Sequence, residues 1–222
     1  MDNLIKNFNN INIKSNNNLI QFLKDTKKIK DFTTYKDHEN IIKNLLNKTY
    51  FTEFKNISKS NNCDKLIKFL SENNKFHNNQ YIHQPCGSQN HPDFLIKINN
   101  KYILLECKSS KGNIPMFNSG GIKLNSLYIF SSQKDNRNTY FLGKDINPKI
   151  IDDYNKETKL LVHKLIIKRN KEVLQFEENI FGNCIYDRLA LQQIKGDKKT
   201  INYFDEKSIQ RENYVIEFIN NL

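Results

Sequence analysis

Asp93, Glu106 and Lys108 are the residues whose types and spacing could do chemistry. Residues 93–98 (Asp-Phe-Leu-Ile-Lys-Ile) and 101–108 (Lys-Tyr-Ile-Leu-Leu-Glu-Cys-Lys) read as two strands joined at Asn99-Asn100. A symmetric turn there sets Ile98 opposite Lys101 and Asp93 opposite Glu106. Opposed residues of an antiparallel pair have Cβ atoms about 5 Å apart on one face. Lys108 lies two residues beyond Glu106 and shares that face. Two carboxylates and an ammonium thus meet at one end of a hairpin, flanked by Phe94, Leu95, Ile103, Leu104 and Leu105. Such carboxylates repel each other unless a cation lies between them. Hard oxygen ligands suit Mg²⁺, which keeps several waters and accepts phosphate. Mg²⁺ could activate water and neutralise charge on a phosphoryl group, while Lys108 holds the attacking water or stabilises the transition state. The alternative is a surface hairpin with a Glu106–lysine salt bridge and a solvated Asp93.

The elements around this hairpin follow from periodicity. Residues 1–75 read as a polar helical segment, with apolar groups at helical spacing around 19–23, 41–46 and 66–70. Asp37 is a plausible N-cap for the second, and Asn-rich links are expected at 16–18, 61–62 and 73–74. Residues 80–145 form the sheet core, with further strands at 126–132 and 138–142 around a polar turn. Residues 148–222 are helical and mixed, with a helix over 149–175 after Pro148. The expected architecture is one α/β (α+β) domain over 1–222, a central mixed β-sheet flanked by helices with a helical N-terminal segment. The aromatic positions Tyr128, Phe130, Tyr140 and Phe141 are expected to pack in the core rather than stack on bases.

Composition sets the outer limits. The 222 residues carry a formal net charge of +11, so a polyanion partner is one reading. The other is mutational bias: 35 Asn, 31 Lys and 28 Ile stand against 4 Arg and 1 Ala, a pattern that A+T-rich coding favours. The spacings of Cys63, Cys86, Cys107 and Cys184 fit no zinc site, the histidines form no H-E-x-x-H, and no glycine-rich phosphate loop occurs. No apolar run is long enough to cross a membrane. The N-terminus lacks a charged-then-apolar pattern, so a cytoplasmic location with reduced cysteines is expected.

His91-Pro92-Asp93, twelve residues, then Glu106-Cys107-Lys108 resembles the PD-(D/E)xK motif of the restriction-endonuclease-like nucleases. Gln84-Pro85-Cys86-Gly87-Ser88-Gln89 before the motif looks like type II restriction endonucleases. Ser109-Ser110-Lys111-Gly112 and Pro115-Met116-Phe117-Asn118-Ser119 after it do so too. The resemblance spans about residues 80–145 and implies that family's α-β-β-β-α-β core. It implies that Asp93 and Glu106 ligate Mg²⁺ (or Mn²⁺), joined by the Cys107 backbone carbonyl, with Lys108 as the catalytic lysine. Some members add a carboxylate from the preceding helix, for which Glu39 and Glu53 are the candidates. The strand pair at 126–142 departs from the pattern, since the family core turns there into a helix, and an inserted hairpin would account for it.

The flanking polar residues suit double-stranded DNA. Gln84, Ser88, Gln89 and Asn90 could contact phosphates or base edges. Ser109, Ser110, Lys111, Asn113, Asn118 and Ser119 could follow the backbone, though the same residues are ordinary turn formers. His91 is expected to position the loop or touch phosphate. The implied activity is a Mg²⁺-dependent, sequence-specific type II restriction endonuclease. It would work as a homodimer beside a cognate DNA methyltransferase, in defence against foreign DNA. The alternatives are a nuclease of the same fold in repair, junction resolution or mobile-element function, or a non-catalytic DNA-binding protein.

Overall fold

The structure is a computed structural model that describes residues 15–30, 37–55, 57, 60–73, 75–117, 121–185 and 202–222. Its centre is a six-stranded sheet in the order β1-β2-β3-β4-β5-β6. The strands are β1 (Thr52–Glu53), β2 (Gln80–His83), β3 (Phe94–Ile98), β4 (Lys101–Ser110), β5 (Ser126–Ser132) and β6 (Arg137–Leu142). β2, β3 and β4 form an antiparallel meander. β1 lies parallel to β2 and β5 parallel to β4, while β6 runs antiparallel to β5. The sheet is therefore mixed.

The hairpin has the register that its sequence dictates. Ile98 pairs with Lys101 and Phe94 with Leu105. Asn99 and Asn100 take φ of 48° and 59°, the left-handed geometry of a two-residue turn that matches strand twist. Asn tolerates this region better than other residues with a Cβ.

Helices cover both faces of the sheet because strand side chains alternate. On one face Phe94, Ile96, Ile98, Ile103, Leu105, Leu127 and Ile129 form the main core. It is closed by Leu19, Phe22 and Leu23 of α1 (15–26), by Ile42 and Leu46 of α2 (Asp37–Thr49), and by Val215 and Ile219 of α6 (Lys207–Asn220). On the other face Leu95 meets Leu66 and Leu70 of α3 (Cys63–Asn73). Further along that face Tyr128, Phe130 and Phe141 pack with Phe117, Tyr203 and Phe204. The strand aromatics are core residues, as their alternation predicts. α4 (Gly143–Ile146) leads into α5 (Lys149–Val173), a 25-residue helix in which Asp152 is the one buried residue.

Several expectations are corrected. Asn16–Asn18 are not a link but part of α1, where buried Asn16 accepts a hydrogen bond from Asn99 Nδ2 at 2.9 Å. The Asn61-Asn62 link is real, and Asn62 Oδ1 accepts the Lys65 N–H at 3.1 Å to cap α3. Strands β1 and β2 and helix α6 lie where periodicity showed nothing definite. β5 and β6 occupy 126–132 and 137–142, where the resemblance implies a helix, and no helix occurs among the described residues of 111–125 that precede them. Among the described residues, no helix is long and apolar enough to cross a membrane.

Candidate active site

Asp93 stands one residue before β3, and Glu106, Cys107 and Lys108 follow one another on β4. The hairpin register continues from Phe94–Leu105 to bring Asp93 beside Glu106. The contacts hold the group together: the Cys107 N–H donates to Asp93 Oδ2 at 2.7 Å, and Lys108 Nζ donates to Glu106 Oε1 at 2.6 Å. Asp93, Glu106 and Lys108 therefore meet as their spacing predicts.

The electrostatics of this cluster are tense. Glu106 is buried, and its Oε2 has no hydrogen-bond partner. A buried acceptor left unsatisfied costs about 1–3 kcal/mol, more for a charged group. Burial and then the neighbouring Glu106 push the Asp93 carboxyl up to about 7, far above the usual carboxylate range. The chain thus keeps two repelling acids in a desolvated place where apolar residues would cost less. A cation between them would satisfy the bare Glu106 oxygen and relieve the repulsion. Among the described residues, no group of three or more His, Cys, Asp and Glu side chains is placed to form a closed metal cage. Mg²⁺ does not need one, because it binds through one or two carboxylates and keeps its waters. The donor set fits that ion and does not fit zinc.

The two candidates for a third carboxylate separate clearly. Glu53 lies on strand β1 and not on the preceding helix, and it is engaged by Lys43 at 2.8 Å and Lys55 at 3.8 Å. Glu39, on α2, meets His83 Nε2 at 2.6 Å and accepts from Gln84 Nε2 at 3.0 Å. The His83 contact holds its carboxyl below the usual range, and its charge reaches Asp93. Glu39 stands nearer the cluster in electrostatic terms. His38, beside it on α2, is buried, which pulls its imidazole down to about 4.

The polar residues proposed to face DNA divide into three groups. Ser88, Gln89 and Asn90 are exposed on the turn before Asp93. The Asn90 amide also donates to the Cys86 carbonyl at 2.8 Å. Lys111 is exposed at the end of β4, while Ser109 and Asn113 are half-buried. Gln84 and Ser110 turn inward: Gln84 serves Glu39, and buried Ser110 donates to the Gly112 carbonyl at 2.8 Å. Those two hold the site's frame in place. Asn118 and Ser119 lie outside the described residues.

A cleft of about 760 Å³ opens between α3 and α5, with Leu104 of β4 in its lining. Lys123, Lys149, Lys156 and Lys159 line it, with Asn125, and His91 forms part of its wall. Burial, Lys123 and Lys108 pull the His91 imidazole down to about 4, so a neutral ring there meets Ser126 Oγ at 2.8 Å. The Lys123 N–H donates to Tyr128 Oη at 2.7 Å. Gly143 permits the same loop to close, since a Cβ there would lie 2.0 Å from the Lys123 carbonyl oxygen. Sequence reasoning missed this basic cleft. Lys149, Lys156 and Lys159 share one side of α5 but stand among many other lysines, and only the fold brings Lys123 and the residues of α3 to face them.

No protein-family model matches this sequence, no curated protein matches it, and no solved structure matches its fold.

Proposed function

We propose that the chain is a Mg²⁺-dependent endonuclease that hydrolyses phosphodiester bonds of double-stranded DNA, in the manner of a type II restriction enzyme. One observation carries the reading: half-buried Asp93 beside buried Glu106, which has an unsatisfied carboxylate oxygen and Lys108 in contact.

Bound Mg²⁺ would supply charge neutralisation at the phosphoryl oxygens and a more acidic water. The chain's own residues do the rest. Asp93 and Glu106 would hold the ion, with the Cys107 backbone carbonyl as a further ligand. The Cys107 N–H fixes one Asp93 oxygen and leaves the other for the ion. Lys108 Nζ carries a positive charge next to the pair, where it can donate to a phosphate oxygen or orient the attacking water. Lys123, Lys149, Lys156 and Lys159 would track the strand, while exposed Ser88, Gln89 and Asn90 would meet a groove. Cutting both strands of a twofold site requires two copies of this cluster. A cognate methyltransferase would protect the cell's own DNA.

The test is incubation of unmethylated phage DNA with the full chain and Mg²⁺. Discrete fragments that vanish in EDTA support the reading, and sequencing their ends gives the recognition site. A smear, or cleavage of branched DNA alone, assigns the same chemistry to a nuclease of repair, junction resolution or mobile elements. Tight binding in EDTA without cleavage in Mg²⁺ overturns the catalytic reading in favour of a DNA-binding protein.

A further inference from the structure

α5 exposes a stripe of large apolar side chains. Ile150 is 77% exposed, Tyr154 72%, Leu161 60% and Leu165 57%. Its 25 residues form a rod about 37 Å long. Ile151, Tyr154, Thr158, Leu161 and Leu165 recur at alternating spacings of three and four, the seam of a helix that pairs with another helix. Asp152, Asn155, Lys156 and Lys159 turn to the opposite side and line the lysine cleft. The apolar stripe is therefore a separate surface, and covering it leaves the cleft open. Contiguous apolar area of this size on a chain marks an interaction site.

We infer that this stripe pairs with the same stripe of a second copy of the chain, with the two α5 helices antiparallel. The helix is self-complementary in that direction. An antiparallel register sets Tyr154 against the partner's Leu165 and Thr158 against the partner's Leu161. The same register places Glu157 beside the partner's Lys164, and twofold symmetry makes that pair twice. A parallel pair instead stacks Lys168 on the partner's Lys168 and puts Lys164 beside the partner's Arg169, so like charges meet. The seam side chains and Ile150 present on the order of 600 Å² per chain, close to the about 800 Å² per partner of a standard stable interface. The inference does not depend on the chemistry of the carboxylate cluster.

Sedimentation of the full chain from nanomolar to micromolar concentration in 0.15 M salt tests it. A dimer is expected. Leu161→Glu should raise its dissociation constant at least 100-fold with the circular dichroism spectrum unchanged, because the residue is exposed in the single chain. Lys164→Glu should weaken the dimer about tenfold by opposing Glu157, and Glu157→Lys with Lys164→Glu together should restore it. A monomer at every concentration overturns the inference, and leaves the stripe to another segment of the chain or another partner. A dimer indifferent to Leu161→Glu also overturns it, because the interface then lies elsewhere. Tighter dimers from Lys164→Glu alone overturn the antiparallel arrangement and point to a parallel one. DNA cleavage by a chain that stays monomeric would separate failure of this inference from failure of the nuclease reading.

Discussion

The β3–β4 hairpin and α5 are built from the same kinds of residue, Ile, Leu and Tyr among Lys and Asn, yet they end in opposite environments. Every position of β3 is buried, even Lys97, whose ammonium donates to the Phe76 carbonyl at 2.7 Å. In α5 the one buried residue is an aspartate. The hairpin spends its apolar side chains on two faces of one sheet, and so can hold charged Asp93, Glu106 and Lys108 rigidly at its end. α5 spends few of its own within the chain. Apolar content alone does not say where a core lies. The strand neighbours supplied by β2 and β5 do.

The largest expected effect concerns the charged end of the hairpin. Asp93→Ala and Lys108→Ala should each lower DNA cleavage at least about 10³-fold, with thermal unfolding still cooperative. Lys149→Ala, on α5, should lower it only a few-fold and reduce the salt dependence of binding by about one phosphate contact. Cleavage at the wild-type rate by either hairpin variant would show that the cluster is structural. The contrast would then rest on packing alone.

Packing gives the next effect. Leu105→Ala removes a fully buried side chain from the main core and should cost about 2–5 kcal/mol in denaturant unfolding. Leu165→Ala, 57% exposed, should cost under about 0.5 kcal/mol at concentrations where the chain is monomeric. Equal costs at low concentration would mean that α5 is packed within the single chain.

The acid at the site makes stability depend on pH in a way that α5 does not. Burial raises folded Asp93 to about 7 from its ordinary 3.8, so between those values the folded chain binds the extra proton. Its contribution is full below about pH 4 and is lost as pH rises to about 7. His38 and His91 act in reverse. Burial lowers each from 6.5 to about 4, so their contribution is full above 6.5 and is lost as pH falls to about 4. The two trends oppose each other between pH 4 and 6.5. In EDTA, Asp93→Asn should therefore be more stable than the parent at pH 8, and should lose stability more steeply on acidification. Mg²⁺ should stabilise the parent at pH 8 and leave Asp93→Asn unmoved. Coincident pH profiles for the two proteins would remove the case for a strained carboxylate pair.

The same contrast explains what the sequence made legible. The hairpin is readable to the residue because two short apolar runs flank an Asn-Asn turn, and its register carries the Asp93–Glu106 juxtaposition with it. The span of α5 was readable from its period and from Pro148, but its exposure was not, because periodicity reports a face and never what covers it. α6 escaped notice because its inward side mixes Val215 and Ile219 with buried Ser208 and Glu212. Glu212 is satisfied by Lys27 and Thr139, partners 185 and 73 residues away. β2 is four residues long with polar ends, too short to stand out. The basic cleft exists only once α3, the 121–126 loop and α5 are assembled.

The smallest expected effect lies in the turn itself. Asn100 has φ of 59°, where a Cβ clashes with its own backbone unless a short polar side chain eases the strain. Its N–H is already used, donating to Asn78 Oδ1 at 2.9 Å, so the backbone here is fixed from two sides. Asn100→Ala keeps that bond and loses only the tolerance for left-handed geometry, a cost of about 1 kcal/mol. Asn100→Gly should restore or slightly exceed the parent stability, because glycine adopts the region freely. Lys164→Ala, at an exposed helical site of α5, should be neutral in the monomer by the same denaturant measurement, since alanine is the better helix former. A turn variant that changed cleavage as well as stability would mean that the register, and not only the turn, had moved. A one-residue slip would carry Glu106 and Lys108 to the opposite face of the sheet from Asp93.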